Sequence, residues 1–397
     1  MIYSIYDYNF SGKNVLVRVD FNVPLNENQQ VADDTRIVES LTTINKIIDD
    51  GGVPILMSHL GRPKGTKNPK YSLLPVANYL KDKLGYDVLF AEDCIGESVK
   101  KIVDGAIPGQ VVLLENLRFY KEEEENSYDF ALELKKLGDV YVNDAFGTCH
   151  RAHSSIDALP RLFEDRFAGA LLLSEVNYLG KAVSNPLKPY VVIIGGAKIT
   201  GKIDIIQNLY DKCDYILIGG GLSYTFLKAK GYDVGKSILE EDKIQLAKEL
   251  LENSYVSGNK LILPIDVIVA DKMDETASIR NVLVDTIPDD WMGVDIGYET
   301  REKFKEIILE ARMIVWNGPL GVFEIEKFSE GTKSIAYALA EATKRGAITI
   351  VGGGDSASAV SSLGLKNSVS HVSTGGGASL EFLGGKKLPG ILALDRE

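Results

Sequence analysis

Five short strings in the first 155 residues collect the groups that could hold an anion. RVDFNVP (18–24) carries Asp20 and Asn22, two apart on an extended segment and therefore on one face. Arg36 follows DDT (33–35), where Asp34 or Thr35 can cap a helix and set the guanidinium on its first turn. SHLGRP adds His59 and Arg62, ENLRFY adds Arg118, and HRAHSS adds His150, Arg151 and His153. A lone arginine is usually a surface ion-pair partner, and a lone histidine usually a satisfied structural one. Here three of the chain's four histidines fall inside these strings, interleaved with arginines. Guanidinium forks grip carboxylate and phosphate with two bonds, so an anionic substrate is the chemistry indicated.

The second half offers glycines instead. Gly195-Gly196, Gly219-Gly220-Gly221 and Gly352-Gly353-Gly354 each follow an apolar run. AITIVGGGDSA sets three glycines between a strand and a helix, where free amides and the helix N-terminus can hold phosphate. Gly352-x-Gly354-x-x-Ala357 also fits the dinucleotide fingerprint, but that reading needs an acidic residue about 20 positions on. None occurs between Asp355 and Glu381, so a dehydrogenase is excluded. Gly196–Ile203 matches a P-loop except at its last position, where Ile203 lacks the hydroxyl that binds magnesium. GYDVGKS (231–237) is one residue short and has no strand before it. Lys198 and Lys202 remain, four apart and on one helical face, either surface lysines or phosphate ligands. MIVWNGPLGVFE (313–324) runs a strand into a turn stiffened by Pro319, and then reaches Glu324. Asp355 is either a helix cap or a contact to a magnesium-nucleotide. Thr374-Gly-Gly-Gly377 opens a further possible helix.

Such residues need a frame. Strand candidates lie at 15–20, 54–60, 111–117, 140–146, 190–196, 215–221, 260–269, 313–319 and 347–354, with helical spacing between them at 35–50, 128–137, 329–345 and 355–363. Apolar strands alternating with helices predict an α/β fold, parallel sheets covered on both faces with ligands beyond the C-terminal strand ends. The 397 residues are too many for one core, and the two halves end their strands in different chemistry, so two domains follow. The expected junction is a helix over 167–183 followed by Ser-Asn-Pro-Leu-Lys-Pro, whose prolines stop it. The acidic run 122–125 reads as a solvated loop or helix start.

Lys and Arg number 44 against 56 Asp and Glu, a net charge of −12, which argues against nucleic acid or an anionic membrane as partner. Three scattered cysteines give neither a disulfide framework nor a zinc site. There is no Ser-His-Asp arrangement, no signal-peptide pattern at the N-terminus, and no apolar run near the roughly 20 residues that cross a bilayer. A cytoplasmic protein is expected.

RVDFNVP, DDTRI, SHLGRPKG, LLENLRF, NDAFGTCHRAHSS, GGAKITGKI, WNGPLGVFE, GGGDSA and STGGGASLEFLGGKKLPG, in this order from end to end, resemble phosphoglycerate kinase. Cys149 stands where that family usually has a small alanine, and Ser356 where threonine is common. The resemblance implies two doubly wound Rossmann-like domains joined by an interdomain helix. It sets a 3-phosphoglycerate domain at 1–166, helix and hinge at 167–187, a nucleotide domain at 188–372, and a C-terminal segment, 373–397, returning to the first. It implies substrate contacts from Asp20, Phe21, Asn22, Arg36, His59, Arg62, Arg118 and Arg151. Nucleotide contacts would come from Gly195, Gly196, Lys202, Gly219, Gly293, Asn317, Pro319, Glu324, Gly352, Gly353, Gly354, Asp355 and Ser356. Arg36, Lys198 and the amides of Gly354 and Gly376-Gly377 would act on the transferring group, and Asp355 would contact Mg²⁺ carried by ADP or ATP. A monomer is the family's expectation. A catalytically dead relative that kept the fold is the alternative, and it would be favoured by loss of Arg36, Lys198 or Asp355; all three are present.

Overall fold

A computed structural model describes residues 2–258 and 260–396 and divides the chain into two compact units. The first comprises Met1–Asn177 with Lys387–Glu397, the second Tyr178–Lys386. The sequence reading set these limits at 166 and 373; residues 373–386 instead belong to the second unit.

In the first unit β1 (Asn14–Val19), α1 (Thr35–Asp49), β2 (Val53–Met57), α2 (Leu74–Asp82), β3 (Asp87–Ala91), α3 (Glu97–Gly105), β4 (Gln110–Leu114), α4 (Lys121–Glu124), α5 (Tyr128–Lys135), β5 (Val140–Asp144) and β6 (Arg166–Ala168) follow in order. The strands form one six-stranded parallel sheet, β3-β4-β2-β1-β5-β6. Val15, Val17 and Val19 share one face of β1 and join a core with Ile37, Ile44 and Ile47 of α1. Spacings of seven and three put those isoleucines on one helical stripe. Full burial of each such side chain is worth about 1.5–3 kcal/mol. Leu16 and Arg18 occupy the other face, both fully buried.

The boundary between units falls inside α6 (Ala170–Ser184). The helix expected from 167 starts three residues later, because Arg166–Ala168 pairs with β5 as an edge strand. The second unit continues with β7 (Tyr190–Ile194), α7 (Ile203–Tyr210), β8 (Tyr215–Ile218), α8 (Leu222–Ala229), α9 (Ile244–Val256), β9 (Leu261–Ile262), β10 (Asp266–Ala270), β11 (Ile279–Leu283), β12 (Met292–Ile296), α10 (Tyr298–Glu310), β13 (Met313–Asn317), α11 (Glu330–Lys344), β14 (Ile348–Gly352), α12 (Gly354–Ser362), β15 (His371–Val372) and α13 (Gly377–Leu383). α14 (Pro389–Leu392) lies with the first unit. The main sheet of the second unit, parallel throughout, runs β15-β14-β13-β7-β8-β9, so the strand order reverses between β7 and β13. That is the doubly wound order whose ligands sit at the reversal. Val191, Ile193, Ile314, Trp316, Ile335, Leu339 and Val351 build the core beneath it.

Two expectations change here. The run 260–269 is not one strand: Pro264 interrupts it, and its halves, β9 and β10, belong to different sheets. The second of these sheets, β11-β10-β12, is antiparallel, an element that the alternation of strands and helices did not announce.

Candidate functional site

In the first unit the charged strings meet beyond the C-terminal ends of β1, β2, β4 and β5. Arg36, on the first turn of α1, reaches Asp20 at 3.2 Å with Nη1, which also donates to the carbonyl of Asn22 at 3.0 Å. Asn22 Oδ1 accepts the amide of Gly61 at 2.9 Å, and Arg118 Nη1 donates to the Gly61 carbonyl at 3.0 Å. Two site residues thus fix the turn that presents Arg62. Arg62 and Arg151 are exposed, and Arg62 has no ion-pair partner among the described residues. Phe21 is wholly buried, its amide donating to Ser58 Oγ at 2.9 Å, so its contribution is to support the loop.

Arg118 is buried, and its Nε lies 3.3 Å from Glu124 Oε1, near enough to attract but not aligned for a hydrogen bond. Burial and then the charges of Arg18, Arg118 and Arg36 hold the His59 imidazole well below its usual range. His153 is pushed down to about 3 by burial, with Arg118, Arg18, Arg151 and His150 adding to the effect. Both imidazoles are therefore neutral at physiological pH. This patch is a concentration of positive potential with too few carboxylates to cancel it, held in an acidic chain.

Sequence reasoning missed part of this layer. Arg18 lies within an apolar strand run and is fully buried, with Nε 2.9 Å from Ser155 Oγ and Nη2 3.2 Å from His59 Nδ1. A charge inside an otherwise apolar strand was the available signal. The acidic run expected to be solvated contains Glu123, which is completely buried and accepts both the amide and hydroxyl of Ser155 at 2.9 and 2.6 Å. Only the turn of α4 separates Glu123 from its exposed neighbour Glu124 in direction.

In the second unit the glycines divide into two kinds. The turn after β7 is packed against the one after β13: Gly195 and Gly196 amides donate to Asn317 and Pro319 carbonyls at 2.9 and 2.7 Å. A Cβ on Gly195 would stand 2.2 Å from the Pro319 oxygen, so this glycine allows the close approach. The Gly219 amide is likewise taken, by the Ile194 carbonyl at 3.0 Å. These amides are not free for phosphate. Gly352 and Gly353 instead lead into α12, whose first-turn amides, from Gly354 onward, have no intrahelical acceptor. Gly376 and Gly377 open the short α13 in the same way.

A cleft of about 390 Å³ in this unit brings together Gly196, Gly293, Pro319, Glu324 and Asp355. Gly293 matters by its size: a Cβ there would lie 1.9 Å from the Tyr224 hydroxyl, which shares the cleft wall. Lys236 of the discarded GYDVGKS string also lines it and was not anticipated. Beside the cleft Lys202 Nζ bonds Asn317 Oδ1, and the other amide atom, Nδ2, is buried without a partner. Burial lowers the Lys202 ammonium to about 8, against the opposing pull of Asp355. The Ser356 hydroxyl accepts the Gly318 amide at 2.7 Å, tying α12 to the turn after β13. Lys198, Glu324 and Asp355 are exposed. A buried amide donor, a half-buried lysine and a helix N-terminus beside one cleft are donors suited to anionic oxygens.

A family model described as phosphoglycerate kinase matches residues 5–386. The phosphoglycerate kinase of Chloroherpeton thalassium is 54% identical over 388 residues, 98% of each chain. That of Pelodictyon phaeoclathratiforme is 53% identical over 392 residues, 99% of each. The solved structure of phosphoglycerate kinase from Coxiella burnetii superposes with a TM-score of 0.89 at 40% identity, covering 99% of this chain and 98% of that one. Identity above one half across nearly the whole length is more than a shared architecture, and the chain belongs to the phosphoglycerate kinase family.

Proposed function

We propose that this chain moves a phosphoryl group directly between 1,3-bisphosphoglycerate and MgADP, yielding 3-phosphoglycerate and MgATP, with each substrate held by its own unit. The observation that carries this reading is the surplus of positive charge around Arg36, Arg118, Arg151 and His59 in a chain of net charge −12. Such a patch is matched by a ligand with a phosphate at one end and a carboxylate or acyl phosphate at the other. Asp20, with Asn22, Phe21 and Arg118, sets the geometry, while Arg62 and Arg151 supply unshielded charge.

On the nucleotide side, Asn317 Nδ2 and Lys202 face phosphate oxygens, and the amides of α12 receive the rest. Gly293 and Pro319 line the space for the nucleoside, with the exposed Glu324 carboxylate at the cleft to accept ribose hydroxyls. Phosphoryl transfer requires in-line placement and cancellation of charge more than covalent help. Arg36 and Lys198 provide that cancellation, assisted by amides near Gly354 and Gly377.

Family membership implies a magnesium ion travelling with the nucleotide. Magnesium takes one or two carboxylates and completes its shell with phosphate oxygens and water. Asp355 and Glu324 are the exposed carboxylates on the cleft, and no group of three His, Cys, Asp or Glu among the described residues could hold a metal alone. The residues fit a cation shared with phosphates, which when bound would neutralise the phosphate oxygens.

Two ligands held by separate units react only if binding draws the units together, so closure about the 167–187 connection belongs to this reading. It also excludes water from the acyl phosphate. We take the enzyme to be a cytoplasmic monomer; three free, buried cysteines suit a reducing compartment, and no described helix is long and apolar enough to cross a membrane. A coupled assay of ATP formation from 1,3-bisphosphoglycerate and MgADP tests the whole. Turnover is the expected result; a folded protein that binds both ligands but forms no ATP would make this chain an inactive relative.

A further inference from the structure

Behind the substrate patch runs a buried chain of hydrogen bonds whose direction is fixed by the chemistry of its members. Arginine only donates. Ser155 Oγ therefore accepts from Arg18 Nε at 2.9 Å, and its own hydrogen goes to Glu123 Oε1 at 2.6 Å. Glu123 Oε2 takes the Ser155 amide at 2.9 Å, so both carboxylate oxygens are engaged by one residue. At the other end, Arg18 Nη2 lies 3.2 Å from His59 Nδ1 and can only donate to it. Nδ1 must then be the bare nitrogen. Asp20 Oδ1, the competing partner, is 4.0 Å from Nδ1, beyond hydrogen-bond reach. Glu123, Ser155, Arg18 and His59 are all buried.

We propose that Glu123, acting through Ser155 and Arg18, positions His59 with its proton on Nε2, making the imidazole a neutral hydrogen-bond donor to the anionic substrate. Glu123 is a positioning residue: it touches no substrate. Its carboxylate balances the buried Arg18 charge, which otherwise would be free to turn towards another acceptor. The tautomer matters because an oxygen-rich ligand needs a donor. A histidine with the proton on Nδ1 would present a lone pair to a phosphate or carboxylate and repel it. The proposal rests on the reading of the first unit as the 3-phosphoglycerate site, but its central claim concerns the free protein.

The ligand-free enzyme with ¹⁵N-labelled histidine reports the tautomer through long-range proton–nitrogen correlations, with the His59 signal assigned by its loss in His59→Gln. The expected wild-type pattern is a bare Nδ1 and a protonated Nε2. Glu123→Gln sets an amide NH₂ against the Ser155 N–H, and Ser155→Ala removes the hydroxyl link with less disturbance of packing. In each, His59 should lose its single tautomer, and KM and Kd for 3-phosphoglycerate should rise about tenfold or more. MgADP affinity should stay unchanged and kcat should fall much less than affinity. A wild-type His59 protonated on Nδ1 overturns the proposal, whatever the variants do. Variants that keep both the tautomer and the affinity of the wild type overturn it equally. A wild type with the expected tautomer that binds no 3-phosphoglycerate would instead refute the substrate reading.

Discussion

Arg36 divides its guanidinium between structure and chemistry. One nitrogen, Nη1, holds Asp20 and the Asn22 carbonyl, while the side chain remains about one-third exposed at 35%. If its remaining donors meet charge that develops only during transfer, Arg36→Ala should lower kcat far more than it raises KM. The expected loss is on the order of 10²-fold, comparable to deleting one preorganised donor. Steady-state kinetics in both substrates check this, and a variant with near-normal kcat and weakened binding would reduce Arg36 to a ligand. Residues of this kind were legible in the sequence because arginines and three of the four histidines gather in a few short strings. Arg18 and Glu123 were not. Each sits in a string whose composition suggests something ordinary, a strand in one case and a solvated acidic run in the other. Their burial is decided by the direction in which β1 and α4 face, and composition does not encode direction.

Elements were easier to read than their ends. Strand runs of Val, Ile and Leu announced nearly all the long parallel strands, since burial on both faces leaves no polar alternation to confuse them. The glycines after those strands announced a site, yet the amides of Gly195, Gly196 and Gly219 already serve backbone partners. Which amide is free depends on how two turns pack, a long-range fact. The start of α6 shows a similar dependence. Asp144, fully buried at the end of β5, accepts two first-turn amides of this helix, from Leu171 and Leu172, at 2.9 and 3.2 Å. Burial raises its carboxyl to about 7, although hydrogen bonds from Thr43 and these amides pull the other way. An unfolded aspartate titrates near 4, so between roughly pH 4 and 7 the folded chain binds the extra proton. Stability from this group is full below that window and is lost as pH rises through it. Asp144→Asn removes the titration. The stability of the wild type relative to this variant should therefore grow as pH falls from 8 to 5, read as the difference in denaturation midpoints. A difference independent of pH would show that Asp144 stays ionised in its burial.

At the scale of the molecule, the residues assigned to 3-phosphoglycerate all precede position 152, and those assigned to nucleotide all follow position 194. This separation was visible in the order of the motifs alone. Each ligand can bind without the other, but transfer needs both phosphates in line. Two anions brought close repel, by about 4 kcal/mol for unit charges 4 Å apart at an effective dielectric of 20, so approach needs cations between them. Arg36 comes from the first unit and Lys198 from the second, the latter exposed and without a partner among the described residues. On the proposed reading, either ligand alone would leave one of these charges with nothing to neutralise, and only the pair would make closure favourable. Small-angle scattering on the free enzyme, with 3-phosphoglycerate, with a non-transferable MgATP analogue, and with both, should show the smallest radius of gyration for the last. Lys198→Ala should reduce that compaction while leaving the heat-unfolding profile of the free protein unchanged, since its side chain supports no packing. Four equal radii would mean that catalysis does not proceed through closure, and the role of Lys198 as a bridging charge would fall with it.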